Sequence, residues 1–396
     1  MEEERVNNPA DKLLPELWME IFSKLPAKTL LKSRSVSKFW RSLIDNPGFI
    51  SMHITHFKNN SSKHFVLSYE TRNTMWILNE LELNIRVRTM GKFRKREEIL
   101  ETIFLSSEYH IDYKGYVDGL ILFGQLIGDK YDLFLFNPSI RKRMLLPQIP
   151  FCPGGRADTV IGFDPVINDY KVVMIFFPFV LSELEGPASI LVYELGTGCW
   201  RVNVGVEVPI MWYFGDKVLA RGVMHWISFS LDERPLRTNY THIVSFDFGS
   251  ETFSYTELPG DRWDDKDKFT WPFLLGDQFA VLDVARASAC IWVMKNCGGS
   301  RMEAWSKWYH TTDSDTYKFF LEHKAVKNLI YIESIHKFLL EVDGVVKSYD
   351  LESHKMKNLE VTDCRYVMDP YVESLLLCKG LNDQFSTKIM EYGGFG

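Results

Sequence analysis

Five segments of the chain share one plan: a short apolar run, a polar turn, then a second run carrying an aromatic or aliphatic residue. They begin at Leu133, Ile190, Ile243, Cys290 and Val346, and their turns start near Asn137, Glu194, Asp247, Lys295 and Asp350. These five markers are 57, 53, 48 and 55 positions apart. Further β-like runs lie between them, at 119–123, 170–175, 222–227 and 279–282, so each period has room for about four strands. A strand-rich period near 50 predicts a kelch-like propeller. Such an array grows blade by blade and need not split into separate cores. Two leftover runs, at 64–69 and 373–378, would close the ring by pairing the two chain ends. The expected count is about six blades, with 86–101 and 228–241 read as loops. The competing fold is two packed β-sandwiches.

Composition agrees with strands and removes several functions. Phe, Tyr and Trp make up 14% of the 396 residues, and large rings suit a pleated surface. The net charge of −6 argues against a general nucleic-acid binder. The start, Met1-Glu-Glu-Glu-Arg5, has no basic and apolar leader. The longest apolar run, Val172 to Leu181, is ten residues and contains Pro178, too short to span a bilayer. Six scattered cysteines with no C-x-x-C pair predict reduced, mostly buried thiols and no zinc ribbon. The expected residence is cytoplasmic, nuclear or both.

The first fifty residues have a different character. Residues 1–10 form a short acidic tail, expected to be flexible, and 11–50 carry a net +3. Pro15 can open a helix, because its missing N–H costs nothing at a first helical position. Leu14, Leu17, Ile21 and Phe22 then fall on one apolar stripe. Pro26 ends that helix and starts a short second one, 27–31. A third begins near Ser35 or Ser37, either a reasonable cap, and carries Val36, Trp40, Leu43 and Ile44 up to Asp45-Asn46-Pro47-Gly48. Forty residues in three short helices cannot bury a self-sufficient core without a disulfide or metal. The stripe is therefore either a partner surface or a cap on the β region.

Leu-Pro-x-Leu-x-x-x-Ile-Phe-x-x-Leu-Pro-x-Lys-x-Leu, at 14–30, is followed by Arg34-Ser-Val-Ser-Lys-Phe-Trp40 and by Leu43-Ile44, Pro47 and Phe49. This strongly resembles an F-box. Many members carry Cys where this chain has Ser37. The resemblance implies docking on a Skp-type adaptor, and through it a cullin, with contacts matching Leu14, Pro15, Leu17, Ile21, Leu25, Pro26, Leu30, Val36 and Trp40. Internal packing is the alternative role for each. The β region brings a second resemblance. Gly162-Phe-Asp-Pro-x-x-Asn-Asp-Tyr170-Lys-Val-Val173, Phe136-Asn-Pro-Ser139, Trp212 ahead of Val223-Met-His-Trp226, Ile291-Trp-Val-Met294 and Tyr349-Asp-Leu351 look, in that order, like the F-box-associated domain of plant F-box proteins. That family includes S-locus and defence-regulating branches, and the stretches after Asp350 and Glu373 lean toward the second. The implied organisation is α+β and multidomain: a three-helix F-box at 11–56, then a mainly-β, kelch-like substrate-recognition domain at 57–396.

Chemistry-bearing motifs are sparse. There is no G-x-S-x-G, P-loop or G-x-G-x-x-G. His53-x-x-His56 reads as surface at a helix end rather than a metal pair, and His225 as a hydrogen-bonded strand residue. No catalytic, cofactor-binding or metal residue is assigned. Six basic residues between Arg86 and Arg96 read as a solvated loop, a nuclear-import signal or a contact to an acidic partner. The acidic stretch from Glu257 to Asp267 is either a solubility feature or a means of steering a basic target.

The expected function is a non-catalytic substrate receptor of a Skp–cullin–F-box ubiquitin ligase. It would hold an unidentified protein for ubiquitination and proteasomal degradation, with no nucleic-acid or membrane partner. Target contacts are expected on the loops around 151–158, 181–188, 228–240, 259–271 and 311–317. The alternatives are an adaptor-bound protein that sequesters its target without degradation, and a propeller enzyme with an N-terminal docking module.

Overall fold

The structure is a computed structural model. It describes residues 13–60, 64–73, 80–90, 95–106, 109–127, 130–150, 155–178, 188–206, 211–230, 242–259, 269–285, 288–295, 304–313, 320, 326–333, 336–342, 345–358 and 370–377. Four helices come first: α1 (Pro15–Ser23), α2 (Ala27–Ser33), α3 (Lys38–Ile44) and α4 (Pro47–Asn60). Pro15 opens α1, and the Ser37 hydroxyl caps α3 by accepting the Trp40 N–H at 3.1 Å. The fourth helix corrects the expected three. Asp45-Asn46-Pro47-Gly48 does end α3, but it also starts α4. Asn46 Oδ1 accepts the N–H groups of Gly48 (2.8 Å) and Phe49 (3.3 Å), and Pro47 occupies a position that needs no N–H.

Among the described residues, the strands form six four-stranded antiparallel sheets. Five run in chain order: β4–β7 (Tyr109–Val117, Leu120–Ile127, Lys130–Asn137, Lys142–Leu145), β8–β11 (Gly155–Asp164, Asp169–Pro178, Ala188–Glu194, Cys199–Val206), β12–β15 (Met211–Ala220, Val223–Ser230, His242–Asp247, Thr252–Glu257), β16–β19 (Phe269–Leu275, Gln278–Ala285, Ser288–Met294, Trp305–Thr311) and β20–β23 (Lys327–Ile332, Lys337–Val342, Val345–Asp350, Lys355–Asn358). Successive blades touch through β4 and β8, β8 and β13, β12 and β16, and β16 and β20. The cores lie between them. Val160, Val173 and Ile190 of one blade meet Met224, Trp226 and Phe246 of the next, and equivalent clusters fill the other gaps. Blades covered on both faces need unbroken apolar runs, such as Leu133-Phe134-Leu135-Phe136, all buried. Gly162 lets one gap close tightly, since a Cβ there would lie 2.2 Å from the Phe248 ring. This stack of separate meanders excludes the paired sandwiches.

The remaining sheet joins the two ends of the described chain. Its order is β24-β1-β2-β3, with β1 (His64–Asn73), β2 (Glu80–Met90), β3 (Lys95–Ser106) and β24 (Pro370–Tyr371). β1 pairs with β24 through Phe65↔Tyr371 and Val66↔Pro370, so the two ends do pair as expected, but through 370–371 rather than the expected 373–378. The count of about six blades is corrected to five stacked blades plus this closing sheet. In the sequence of β2, Leu81, Leu83, Ile85 and Val87 alternate with polar residues, unlike the unbroken apolar runs of the stacked blades. The expected loop over 86–101 is also corrected: Arg86 and Arg88 lie in β2, with Arg88 opposite Glu97 of β3.

Four of the five repeat markers end a blade's third strand, and Lys295 directly follows the third strand of its blade. The side-chain oxygen there often accepts from the turn that follows. Asp247 Oδ1 takes Gly249 and Ser250 N–H, both at 2.8 Å, and Asp350 Oδ1 takes Glu352 (3.1 Å) and Ser353 (3.0 Å). That requirement explains why Asn and Asp recur with the period. Among the described residues, Cys199 is exposed and Cys290 half-buried, neither in a disulfide, so these two are less buried than expected.

Candidate functional site

The helical module is held between two environments. Its inner core contains Phe22, Ala27, Leu30, Leu43, Ile44 and Phe49, with Trp18 and Trp40 partly buried against it. Trp18, Phe22 and Trp40 form a ring trio with centroids 5.1–5.2 Å apart. Arg34 forks onto Asp45 through Nε (2.5 Å) and Nη2 (2.9 Å), tying α2 to the end of α3. His53 is fully buried rather than at the surface, and its Nε2–H donates to the Leu25 carbonyl at 3.0 Å. Burial holds the His53 pKa below the ordinary value, against the pull of that carbonyl. His53 and His56 thus make no exposed pair, and no cluster of three or more His, Cys, Asp or Glu side chains that could hold a metal occurs among the described residues.

The outer face is apolar and uncovered. Leu14 and Val36 are each 65% exposed, Leu17 and Ile21 about 45%, and Pro15 and Pro26 are exposed as well. Leu25 and Trp40 are half-buried. Leu30 is fully buried, so this candidate packs internally in the isolated chain. The single stripe read on α1 therefore splits, with Phe22 inward and Leu14, Leu17 and Ile21 outward. Leu13 and Phe39, which sequence reasoning did not select, join the exposed set. Phe39 had a signal in Lys38-Phe-Trp40, because two adjacent rings on a short helix cannot both face one core.

Within each blade the strands alternate in direction. The turns between first and second and between third and fourth strands therefore lie at one end. The connections between second and third strands and between blades lie at the other. The helical module meets the first end. Lys58 pairs with Asp118 at 2.5 Å in the turn after β4, and Ile140 in the turn after β6 packs on the helical core. All five segments expected to carry target contacts attach at the opposite end. Most of their residues, 151–154, 181–187, 231–240, 260–268 and 314–317, lie outside the described residues, as does most of the acidic stretch. One open groove of about 460 Å³ lies between the fourth and fifth blades, at the helix-bearing end. Its lining includes Asp277, Lys295, Glu333 and Trp308, the last exposed and edge-on to Tyr331 at 5.6 Å. It holds both charge signs.

The buried titratable groups serve the blades. His225 Nδ1 lies 2.8 Å from Ser245 Oγ and its ring sits against Phe279, with no solvent around it. Burial pushes its pKa down to about 4. The unfolded chain, with His near 6.5, therefore binds the proton first. Stability conferred by neutral His225 is full above pH 6.5 and falls by about 1.4 kcal/mol per pH unit down to pH 4. Urea unfolding of His225→Asn should lose this part of the acid sensitivity. An unchanged slope between pH 6.5 and 4.5 would show that His225 is not its source.

Comparison with known proteins fits this division. Residues 11–51 match the F-box domain model, and 51–377 match the F-box associated beta propeller domain. The chain is 29% identical to F-box protein CPR1 of Arabidopsis thaliana over 393 residues, covering 91% of this chain and 88% of that protein. It is 26% identical to F-box protein At4g22390 of the same plant, covering 92% and 90%. Among solved structures, a chain of the nidogen/laminin complex aligns over 76% of this chain and 96% of its own, at 9% identity and a TM-score of 0.40. Nothing of function transfers at that distance.

Proposed function

Because the chain belongs to the F-box proteins with an F-box-associated β-propeller domain, we propose that it is a substrate-receptor subunit of a Skp–cullin–F-box ubiquitin ligase. The helical module docks the Skp-type adaptor, and the propeller holds the protein to be modified. The observation that carries this reading is the outer face of α1–α3. Its apolar side chains stay uncovered although the inner side of the same module is fully packed. Exposed apolar area concentrated on one small module marks a protein-interaction site.

No residue of this chain performs bond chemistry in this reading. The contribution is proximity: target lysines are held at high local concentration beside the charged conjugating enzyme. The target face is the propeller end opposite the helices, where the longer connections attach. A target bound there is separated from the docking module by the length of the strands. The target is a protein, and residence in cytoplasm or nucleus suits it equally.

The test is affinity capture from plant cells with the proteasome inhibited, comparing wild type with Leu14→Ala/Pro15→Ala. The expected result is adaptor and cullin peptides with wild type only, and targets captured by both. Target half-lives that do not change on proteasome inhibition would instead favour sequestration. Absence of the adaptor from the wild-type capture would overturn the reading.

A further inference from the structure

The helical module is not completed by its own forty residues. The residue that closes its core, Leu375, comes from the far end of the chain and is fully buried among Phe22, Ala27, Leu30, Leu43 and Phe49. Two residues earlier, Glu373 Oε2 accepts the Ala27 N–H at 2.9 Å, across 346 positions of sequence. That N–H is the first of α2, and Pro26 before it offers no side-chain cap. The run at 373–378, expected as a strand, is corrected here: β24 ends at Tyr371, and 372–377 is a strap.

The other side of the strap is fixed to the propeller. The Val372 N–H donates to the Tyr116 hydroxyl at 2.7 Å, and the Ser374 N–H to Ser139 Oγ at 3.1 Å. Asn137 Nδ2 donates to the Ser374 carbonyl (3.1 Å) and the Leu376 carbonyl (2.8 Å). Leu377 enters the core between the first two stacked blades. The turn beneath has no room for a side chain, since a Cβ on Gly119 would lie 2.5 Å from Ser374 Oγ. β24, directly before the strap, closes the ring against β1, so the strap is continuous with the ring closure.

We propose that Glu373 and Leu375 are positioning residues for adaptor docking: the strap holds α1–α3 in the arrangement that presents Leu14, Leu17, Ile21 and Val36 together. This rests on the adaptor-docking reading above. The consequence is a built-in order of events. A chain whose ring has not closed, or that ends before residue 372, carries a complete helical sequence but an open helical core. Only the finished propeller then offers a competent docking face, so an incomplete receptor does not occupy adaptor. The apparent affinity of a partly populated competent state falls in proportion to its population.

The experiment uses the full chain and a recombinant plant Skp-type adaptor. Leu375→Ala, Leu375→Met, Glu373→Ala and Leu14→Ala/Pro15→Ala are compared by adaptor titration and by amide hydrogen exchange. Leu375→Ala should weaken adaptor binding about tenfold or more and speed exchange in α2 and α3 by a similar factor, with amides of β5, β6, β13 and β14 unchanged. Glu373→Ala should do the same to a smaller extent, strongest at the Ala27 amide. Leu375→Met, which conserves volume, should restore both readouts. Leu14→Ala/Pro15→Ala should lose adaptor with exchange of α2 and α3 unaltered, which separates contact from positioning. Unchanged exchange in α2 and α3 of Leu375→Ala, or faster exchange with full adaptor affinity, overturns the proposal. A wild-type chain that binds no adaptor overturns the docking reading itself, and the exchange data then still report whether the strap holds the helices.

Discussion

Lys171→Ala is expected to destabilise the propeller by about 3–5 kcal/mol, the cost of stranding buried charges. Lys171 is 3% exposed. Its ammonium pairs with Asp164 on its own blade and reaches across to the next, donating to Glu251 Oε1 at 2.6 Å and the Phe248 carbonyl at 3.0 Å. Arg201 supports the same carboxylate of Glu251. Asp164 in turn accepts the Val166 N–H at 2.7 Å and the Ile167 N–H at 3.3 Å, so one side chain shapes a turn and neutralises a buried cation. Asp164-Pro-x-x-Asn-Asp-Tyr-Lys171 is thus an inter-blade clamp.

The pH dependence of that clamp follows from its charges. Burial alone would raise the Asp164 and Glu251 carboxyls, but Lys171 acting on both, the turn amides on Asp164 and Arg201 on Glu251 hold them below the usual range. A folded pKa below the unfolded one means stabilisation that is present above about pH 4 and lost as pH falls through the folded value. Thermal unfolding of Lys171→Ala at pH 7 should show a midpoint lower by roughly 5 °C. The deficit should shrink toward pH 4, where protonation relieves the stranded carboxylates. Lys171→Met/Asp164→Asn/Glu251→Gln, which removes the charges together and keeps the turn acceptor, should recover most of the loss. A triple variant no more stable than Lys171→Ala would show that shape rather than charge is what Lys171 provides.

What the sequence makes legible are local requirements that repeat. Asn137, Asp247 and Asp350 stand at a fixed place because in their blades the third strand ends in a turn that takes a side-chain acceptor. Pro15 and Ser37 mark helix starts because their demands are met by neighbours within three residues. What stayed hidden is long-range. The apolar stripe of α1 is one pattern, yet Phe22 faces the core and Ile21 faces out. The core that Phe22 faces includes Leu375, some 350 positions away, and periodicity carries no information about that. The basic run at 86–96 reads as a loop by its charge, whereas the alternation of Leu83, Ile85 and Val87 beside it is that of a strand. Leu30 matched the docking motif as well as Leu17 does. Only burial separates a residue that builds the surface from one that forms it.

That separation makes the docking face testable without unfolding it. Leu17→Asp/Ile21→Asp should reduce adaptor affinity more than 100-fold while leaving the thermal midpoint within about 2 °C of wild type. Both side chains are about 45% exposed, so a carboxylate at either position stays in water in the free chain. In the complex, covering two such residues is worth roughly 1.5–3 kcal/mol, and desolvating two unpaired charges adds a penalty at least as large. Glu20→Ala on the same helix should change affinity less than threefold, because its 3.0 Å pair with Lys24 is solvent-exposed and worth only about 0.3–0.5 kcal/mol. Phe22→Asp, one position from Ile21 but buried, should instead melt the helices and lose adaptor through unfolding, which far-ultraviolet circular dichroism would register. The contrast between neighbours is the discriminating result. If Leu17→Asp/Ile21→Asp binds adaptor within threefold of wild type, the exposed face of α1 is not the docking surface, and its uncovered apolar side chains must serve another partner.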